Sequence, residues 1–409
     1  MTAAFPCRIC ARPVGTTFVD LGEMPLANAY LDTADLDGVE LWYPLHPRVC
    51  DNCLLVQVES VVSPEALFSD YAYFSSYSES WVDHARRFTQ AAALEFALGP
   101  TSLVIEVASN DGYLLRHFVE AGVPVLGIEP AANIAEIARA AGVPTETRFF
   151  GRDAATDLVE RGMQADLLVA NNVLAHVPDL DDFVAGMAGV LKPGGVVSIE
   201  VPHLLHLMAE VQFDTIYHEH LSYFSLLTGE RALRRHGLAV FDVEQLPTHG
   251  GSLRIWADRR AGRPKSSRLH ALRALEREAG LNHLNTYSGF GERVERCVAG
   301  ANGFFAECRA SGRAVVAYGA AAKGNTLLNA CRATRRDIQY VVDRSLKKQG
   351  RFLPGTRLPI YPPDRIFETQ PDYVVILPWN LRQEISSQMA GIGEWGGRFV
   401  TLVPDVRVM

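Results

Sequence analysis

Long apolar runs, a basic leader and an excess of positive charge are all missing from this sequence. No run of about 18 apolar residues occurs, so we expect no membrane span and no membrane partner. The opening residues, MTAAFPCRIC, lack a basic segment followed by an apolar one, which predicts a cytoplasmic protein without a secretion signal. The net charge of −8 argues against nucleic acid as a partner.

What is present is the composition of a globular protein with more than one core. The 409 residues are 48% hydrophobic and 21% charged, and a chain of this length usually forms two or three domains. We expect a monomer or a weak oligomer. Disulfides are rare in the cytoplasm, so the seven cysteines are interpreted as thiols or as metal ligands.

Four of the cysteines form two CxxC pairs near the start of the chain. They are Cys7 with Cys10 and Cys50 with Cys53. Two such pairs can supply four thiolates in a closed tetrahedral site, which suits one structural zinc ion and leaves no open position for catalysis. The alternative is two unrelated pairs of reduced cysteines.

A regular alternation of apolar strands and helices begins near residue 103. The predicted strands of the first unit are LVIEVA, VPVLGIEP, ADLLVANNV and GVVSIEVP, and a second unit follows from residue 314 with AVVAYG, IQYVVD, DYVVILP and RFVTLVP. Continuous apolar strands separated by helices are typical of a parallel sheet covered on both faces. The fold class is therefore α/β, with residues 265–310 predicted to be helical.

The turn after the first strand of this alternation has the features of a nucleotide-like cofactor loop. It reads EVASNDG, where Ala108 and Gly112 are small enough for close backbone approach and Asn110 lies within the turn. Glu106 or Asp111 is predicted to meet a cationic part of the ligand. Glu129 ends the next strand and is placed to bind two ribose hydroxyls.

A nicotinamide cofactor is the rival to a methyl donor at this loop. The sequence lacks a complete GxGxxG, the tight cradle that a pyrophosphate needs, whereas S-adenosylmethionine has no phosphate. Asn171 and Asn172 follow a later strand and are predicted to line the reactive end of the cofactor, and LKPGG resembles the turn before the fifth strand of methyltransferases. We therefore predict a methyltransferase that uses S-adenosylmethionine.

Motifs along nearly the whole chain resemble one enzyme family. They are the paired CxxC knuckles, the SNDG loop, YHEH at 217–220, HGGSLR at 249–254, YGAAAKGN at 318–325 and LPWN at 377–380. Together they resemble the C-methyltransferases that act on dTDP-linked 4-keto deoxysugars in antibiotic biosynthesis. The resemblance implies a zinc-binding domain (1–75), a Rossmann-like methyltransferase domain (76–262) and a helical linker with a second Rossmann-like domain (263–409) that contributes to nucleotide-sugar binding.

Methyl transfer to a carbon next to a ketone needs a base and a group that stabilises the enolate oxygen. The segment DTIYHEHLSYFS concentrates suitable side chains, and we predict His220 as the base, Tyr217 as the donor to the enolate oxygen and Glu219 as an orienting or sugar-binding group. In the family that this sequence resembles, these three positions are similar to catalytic residues. If the segment is helical, Tyr217 and His220 share one face. His176 is a second candidate acid or base, and a satisfied buried histidine is the alternative.

Further residues are predicted to bind the sugar nucleotide. They are Tyr71, Tyr73 and Tyr77 before the cofactor domain, His249 and Arg254 in HGGSLR, and Lys323 and Asn325 in the C-terminal glycine turn. A helix N-terminus beside a lysine favours a diphosphate. For each of these residues the alternative is packing or turn structure. Methylation at C-3 is favoured over C-5, and an O- or N-methyltransferase or a non-catalytic zinc and Rossmann scaffold remain the rival functions.

Overall fold

The computed structural model describes residues 4–68, 74–77, 79–259 and 263–409 of the chain. We call residues 4–68 the N-terminal region, 79–259 the central region and 263–409 the C-terminal region. No helix among the described residues is both long enough and apolar enough to cross a membrane.

The N-terminal region consists of short strands and one short helix. Its elements are β1 (Phe5–Pro6), β2 (Pro13–Val14), β3 (Thr16–Thr17), β4 (Glu23–Met24), β5 (Tyr43–Pro44), β6 (Arg48–Val49), β7 (Val56–Gln57) and α1 (Pro64–Phe68). β1 pairs with β2, and β4 pairs with β5. β6 pairs with β3 on one side and with β7 on the other, and all of these pairs are antiparallel. Such short strands bury little area, so the region depends on other contacts for stability.

The central region contains eight strands and seven helices. The strands are β8 (Val104–Val107), β9 (Val125–Ile128), β10 (Thr145–Glu146), β11 (Ala165–Asn171), β12 (Leu191–Pro202), β13 (Ser222–Tyr223), β14 (Ala239–Leu246) and β15 (Ser252–Asp258). The helices are α2 (Glu79–Glu95), α3 (Leu115–Glu120), α4 (Ala132–Ala140), α5 (Arg152–Glu160), α6 (Leu180–Val190), α7 (Leu204–Ala209) and α8 (Leu226–Arg234).

Seven of these strands form one sheet in the order β10-β9-β8-β11-β12-β15-β14. The first five strands are parallel, and β15 is antiparallel to both β12 and β14. Every residue of β8 and β9 is buried, as expected for strands that are covered on both faces. The strand order reverses between β8 and β11, and doubly wound folds bind their ligands at this switch point.

The C-terminal region starts with two helices and continues as a second α/β unit. Its elements are α9 (Ser267–Glu278), α10 (Phe290–Ala310), β16 (Val315–Tyr318), α11 (Ala322–Ala330), β17 (Val341–Val342), β18 (Ile360–Tyr361), α12 (Arg365–Thr369), β19 (Tyr373–Ile376), α13 (Arg382–Gln388), β20 (Arg398–Thr401) and β21 (Arg407–Val408). The sheet order is β18-β17-β16-β19-β20-β21, parallel except at β21. The predicted α/β architecture is confirmed in both units.

The N- and C-terminal regions share one hydrophobic core. Phe18 of the N-terminal region stacks on Phe290 of α10 with ring centroids 4.4 Å apart. The same core includes Phe213, which precedes the YHEH motif, and Trp379 of the LPWN motif. The small N-terminal region therefore obtains its burial from the C-terminal region and from the segment around residue 213.

Candidate active site

The four cysteines of the two CxxC pairs converge on one point. Their sulfur atoms all lie within 4.8 Å of one another, with Cys7 and Cys53 3.3 Å apart and Cys10 and Cys50 3.5 Å apart. Sulfurs around a tetrahedral zinc ion at 2.3 Å are separated by about 3.8 Å, so the donor set fits zinc. The predicted structural zinc site is confirmed by this geometry, and all four positions are filled by protein.

The two knuckles have the same backbone shape. In each, the residue after the second cysteine donates its N–H to the carbonyl of the first cysteine and adopts a positive φ, at Ala11 (59°) and at Leu54 (63°). The knuckles hold β6 and β7, and β7 pairs with β13 immediately after the YHEH motif. Within the first knuckle, Arg8 donates to the carbonyl of Leu221 across 3.0 Å. The metal site therefore supports the segment that carries His220.

The loop after β8 has the conformation expected of a cofactor loop. Ala108, Asn110 and Gly112 adopt positive φ angles of 55°, 50° and 77°. A Cβ at Gly112 would lie 2.9 Å from the side chain of Val143, so only glycine fits there. Glu129 accepts hydrogen bonds from the backbone N–H groups of Asn110 and Ala131, both at 2.9 Å, and thereby fixes the loop to the end of β9.

The donor and acceptor groups around this loop fit S-adenosylmethionine. Ala108, Asn110, Glu129, Asn171 and Asn172 line one cleft. Within the described part of the chain, the buried Oδ1 atoms of Asn171 and Asn172 have no hydrogen-bond partner, and a ligand with amino and hydroxyl donors would satisfy them. Burial raises the pKa of Glu129.

Glu106 and Asp111 are both buried, and contact of one of them with the cationic end of the ligand stays a prediction. Among the described residues, Oε2 of Glu106 and Oδ1 of Asp111 are buried without a hydrogen-bond partner, as expected of groups that await a ligand. Glu106 is fully buried, and burial followed by the nearby Asp111 and Glu129 carboxylates raises its pKa well above the usual value. Asp111 accepts the backbone N–H of Ser76 at 3.1 Å, so it holds the 74–77 segment. Asn110 likewise accepts the N–H of Ser75 at 2.9 Å.

The cleft has a volume of about 1950 Å³ and is lined by all three regions. The N-terminal region supplies Asn28 and Tyr30, the central region supplies the cofactor loop and the YHEH motif, and the C-terminal region supplies the glycine turn after β16. This volume exceeds that of a typical pocket for one small ligand, about 300 to 1,000 Å³. It can hold a cofactor and a second, extended molecule together.

The YHEH motif forms a tight turn and not a helix. The N–H of His220 donates to the carbonyl of Tyr217 at 2.9 Å, which brings the two side chains together although the helix that would place them on one face is absent. The Tyr217 hydroxyl lies 2.7 Å from Nε2 of His220, and Nδ1 of His220 lies 2.8 Å from the carbonyl oxygen of Thr215. Because a carbonyl only accepts, Nδ1 carries the hydrogen and Nε2 accepts from Tyr217.

The electrostatic environment keeps His220 neutral. Burial, followed by the neighbouring His176, lowers the pKa of His220 well below its usual value. The ring of His176 lies 4.8 Å from that of His220, and burial lowers its pKa to about 4. Both imidazoles are therefore available as proton acceptors near neutral pH. Glu219 accepts a hydrogen bond from Nδ2 of Asn28 at 2.7 Å.

The predicted tyrosines before α2 are only partly described. Tyr71 and Tyr73 lie outside the described residues. Tyr77 lines the cleft and stacks on Phe74, with ring centroids 5.0 Å apart and the tyrosine 63% exposed. Ligand binding by Tyr77 stays a prediction.

His249 and Arg254 both line the cleft, but their surroundings differ. The guanidinium of Arg254 is paired with Glu200 at 2.8 Å and Glu244 at 3.3 Å. Burial alone would raise the pKa of Glu200, but hydrogen bonds from His84 and the charge of Arg254 lower it to about 2. His249 packs against Trp81, with ring centroids 4.9 Å apart.

Lys323 and Asn325 occupy opposite faces of α11. Lys323 lines the cleft, donates to Asn380 at 2.8 Å and lies 4.8 Å from the Trp379 ring centroid. Asn325 is turned away, and its Nδ2 donates to the Ala27 carbonyl at 2.6 Å. Two residues along a helix correspond to a rotation of about 200°, so the prediction that both side chains bind one ligand is wrong for Asn325.

Two residues of the cleft escaped the sequence analysis. Asn28 and Tyr30 lie in a stretch of the N-terminal region that has no recognisable motif, and Asn28 meets Glu219 across 191 positions of sequence. Trp379 of the LPWN motif makes another such contact, because its indole N–H donates to the buried carboxylate of Asp214 at 2.7 Å. No local pattern could have revealed these long-range contacts.

Comparisons with known proteins agree with this three-region organisation. Residues 7–68 match the family described as "Putative zinc binding domain", residues 81–243 match "Methyltransferase domain" and residues 247–404 match "C-methyltransferase C-terminal domain". The C-methyltransferase NovU of Streptomyces niveus is 35% identical over 407 residues, which cover 98% of this chain and 96% of NovU.

More distant relatives match a smaller share of the chain. A ubiquinone biosynthesis O-methyltransferase of Rhodopseudomonas palustris is 24% identical over 152 residues, which cover 32% of this chain and 60% of that protein. Among solved structures, an S-adenosylmethionine-dependent methyltransferase from Mesorhizobium loti matches with a TM-score of 0.34 and 17% sequence identity. The match covers 43% of this chain and 99% of the Mesorhizobium loti chain.

Proposed function

Because this chain belongs to the same C-methyltransferase family as NovU and carries the S-adenosylmethionine-dependent methyltransferase domain, we propose that it methylates a carbon of a dTDP-linked 4-keto deoxysugar in antibiotic biosynthesis. We propose C-3 as the acceptor in preference to C-5. The observation that carries the proposal is the neutral Tyr217–His220 pair in the same cleft as the cofactor loop.

The pair supplies the two functions that carbon methylation needs. A C–H bond next to a ketone loses its proton to a base while the oxygen gains negative charge. In our proposal the Tyr217 hydroxyl transfers its hydrogen bond from His220 to the ketone oxygen of the bound sugar. The freed Nε2 of His220 then accepts the proton from the neighbouring carbon, and the electron pair of that C–H bond becomes the enolate.

The hydrogen bond from Nδ1 of His220 to Thr215 remains in place when the ring becomes positively charged, and it strengthens as the ring gains charge. The imidazolium and the enolate also offset each other's charge. Bound S-adenosylmethionine supplies the electrophilic methyl group that the carbon attacks. Glu129, Asn171 and Asn172, which line the cleft, would hold this cofactor.

The second cleft wall provides the proposed nucleotide site. The glycine turn after β16 opens α11, where backbone N–H groups favour anions, and Lys323 adds a positive charge. Burial lowers the pKa of Lys323, and the nearby Asp214 carboxylate partly offsets this decrease. We propose that the diphosphate of the nucleotide sugar binds along this wall, with Asp343 and His249 near its ends.

The test is an assay with purified protein, S-adenosylmethionine and a small panel of dTDP-4-keto sugars. We expect S-adenosylhomocysteine and a product whose new methyl signal couples to a ring carbon in NMR spectra. An O- or N-methyl signal would support methylation of a hydroxyl or amine and would refute the proposal. Absence of S-adenosylhomocysteine across the panel would favour a non-catalytic scaffold.

A further inference from the structure

We propose that Asn28 is a positioning residue that orients the Glu219 carboxylate, and that Tyr30 links this carboxylate to the glycine turn of the C-terminal region. This inference rests on the proposed function and on the sequence-based prediction that Glu219 orients a catalytic group or binds the sugar. It gives the N-terminal region a direct part in the active site, beyond the folding support that a closed zinc site provides.

The contact between Asn28 and Glu219 is short and internal. Nδ2 of Asn28 donates to Oε1 of Glu219 at 2.7 Å, and Glu219 is only 4% exposed. A hydrogen bond to a charged group in such surroundings is stronger than one between neutral groups. An amide is suited to this task, because it fixes the carboxylate without adding a charge to the site.

Tyr30 continues the connection toward the C-terminal region. Its hydroxyl donates to the carbonyl of Ala320 at 2.6 Å and lies 3.4 Å from Oδ1 of Asn28. Burial raises the pKa of Tyr30, so the hydroxyl remains a donor at neutral pH. The ring also lies beneath the ammonium group of Lys348, 5.3 Å from the ring centroid.

The far end of the connection is the proposed nucleotide-binding turn. Lys348 donates to the Ala320 carbonyl at 2.8 Å, and the Ala320 N–H donates to Asp343 at 2.8 Å. Asn28, Tyr30, Asp343 and Lys348 all line the cleft. A nucleotide that displaces this turn therefore shifts Tyr30 and, through Asn28, the carboxylate of Glu219.

The decisive variant is Asn28→Asp, which keeps the shape of the side chain and changes its chemistry. Two carboxyl groups about 3 Å apart cannot both ionise easily, so they share a proton and titrate as a pair. We expect the pH profile of kcat/KM to gain an ionisation between about pH 5 and 8. Asn282→Asp is the matched control, since it adds the same charge at an exposed position and should leave the profile unchanged.

Two further variants separate positioning from folding. Asn28→Ala should lower kcat about tenfold or more, while the affinity for S-adenosylmethionine stays within about twofold. Tyr30→Phe removes only the hydroxyl and should raise KM for the nucleotide sugar several-fold. Wild-type kinetics and pH profiles in Asn28→Asp, Asn28→Ala and Tyr30→Phe would overturn the inference.

A measurement without catalysis distinguishes failure of this inference from failure of the proposed function. NMR titration of protein with ¹³C-labelled glutamate carboxyl groups, with the Glu219 signal assigned through Glu219→Gln, should show a raised apparent pKa for the pair in Asn28→Asp. An unshifted Glu219 titration would refute the Asn28 contact even if the wild-type protein methylated no sugar in the panel. A shifted titration without sugar methylation would refute the proposed function alone.

Discussion

His220 and Thr215 are joined by a hydrogen bond of 2.8 Å that decides which ring nitrogen faces the cleft. Because the Thr215 carbonyl holds the hydrogen on Nδ1, Nε2 is the basic atom, and it meets the hydroxyl of Tyr217. The backbone of its own turn therefore orients His220, the proposed base, and β13 just after this turn pairs with β7 of the N-terminal region.

Replacing the base should stop the reaction before methyl transfer. We expect His220→Asn to lower the rate of solvent deuterium exchange at the acceptor carbon by about 10² to 10⁴-fold, the usual contribution of a general base. Tyr217→Phe should also lower the exchange rate in the same assay, because the enolate oxygen loses its donor. Exchange is measured by NMR of the sugar in D₂O without the methyl donor.

The neighbouring histidine provides the matched control. His218 turns away from the cleft, and its Nε2 lies 3.3 Å from the carbonyl of Tyr43. His218→Asn should therefore retain exchange within a few-fold, while both variants bind S-adenosylmethionine normally. Near wild-type exchange in His220→Asn would exclude this histidine as the base.

Loss of zinc should inactivate the enzyme while leaving the cofactor site in place. Without the metal, β6 and β7 lose their support, and β13 loses its partner next to His220. We expect Cys50→Ser to lose the metal, to unfold at a temperature several degrees lower and to lose methyl transfer. The affinity for S-adenosylmethionine should change little, because β8 and β9 belong to another sheet.

The control for this variant is Cys308→Ala, which removes a buried thiol of α10 outside the cluster. It should keep one zinc per chain in elemental analysis and retain activity. Full activity of the metal-free protein would show that the knuckles do not support the catalytic turn.

Glu129 should determine the affinity for the cofactor. Its two carboxylate oxygens hold the N–H groups of Asn110 and Ala131, and an amide in its place must turn an NH₂ group toward one of them. We expect Glu129→Gln to weaken S-adenosylmethionine binding by about tenfold or more in calorimetry, equivalent to at least about 1.4 kcal/mol. Glu146→Gln, at the end of the neighbouring strand β10, should bind normally, and equal affinities in the two variants would contradict this role.

Features set by neighbouring residues were predictable from the sequence. The parallel strands β8, β9 and β11 are continuous apolar runs because both of their faces are buried, and the CxxC pairs identify a metal site by spacing alone. The position of Glu129 beside the cofactor loop was predictable for the same reason, since the end of β9 meets the end of β8 in a parallel sheet. These rules depend on periodicity and short spacing, which the sequence displays directly.

Features set by distant contacts were not predictable. Asn28 reaches Glu219 only because the N-terminal region packs on α10 and on the segment around Phe213. Asp111 likewise accepts the N–H of Ser76, 35 positions earlier in the sequence. In both cases the choice among polar groups of similar chemistry is made by packing between regions, which has no local signature.

The protonation of His249 should make the stability of the protein depend on pH. Burial, followed by the charge of Lys323, lowers the pKa of His249 to about 4, whereas an unfolded histidine titrates near 6.5. Between these two values the unfolded chain binds more protons than the folded one. The contribution of His249 to stability is therefore complete above about pH 6.5 and is lost as the pH falls toward 4, by up to about 1.4 kcal/mol per pH unit.

Other buried groups titrate in the same range with the opposite sign, among them Asp214, whose pKa burial raises to about 6. The effect of His249 is isolated by comparing wild-type protein with His249→Asn, since the other groups are common to both. We expect the free energy of unfolding of the wild type to fall relative to that of the variant as the pH is lowered from 7 to 5, measured by urea denaturation. Parallel pH curves for the two proteins would show that His249 is not held neutral in the folded state, and the charge of Lys323 would then be screened from it.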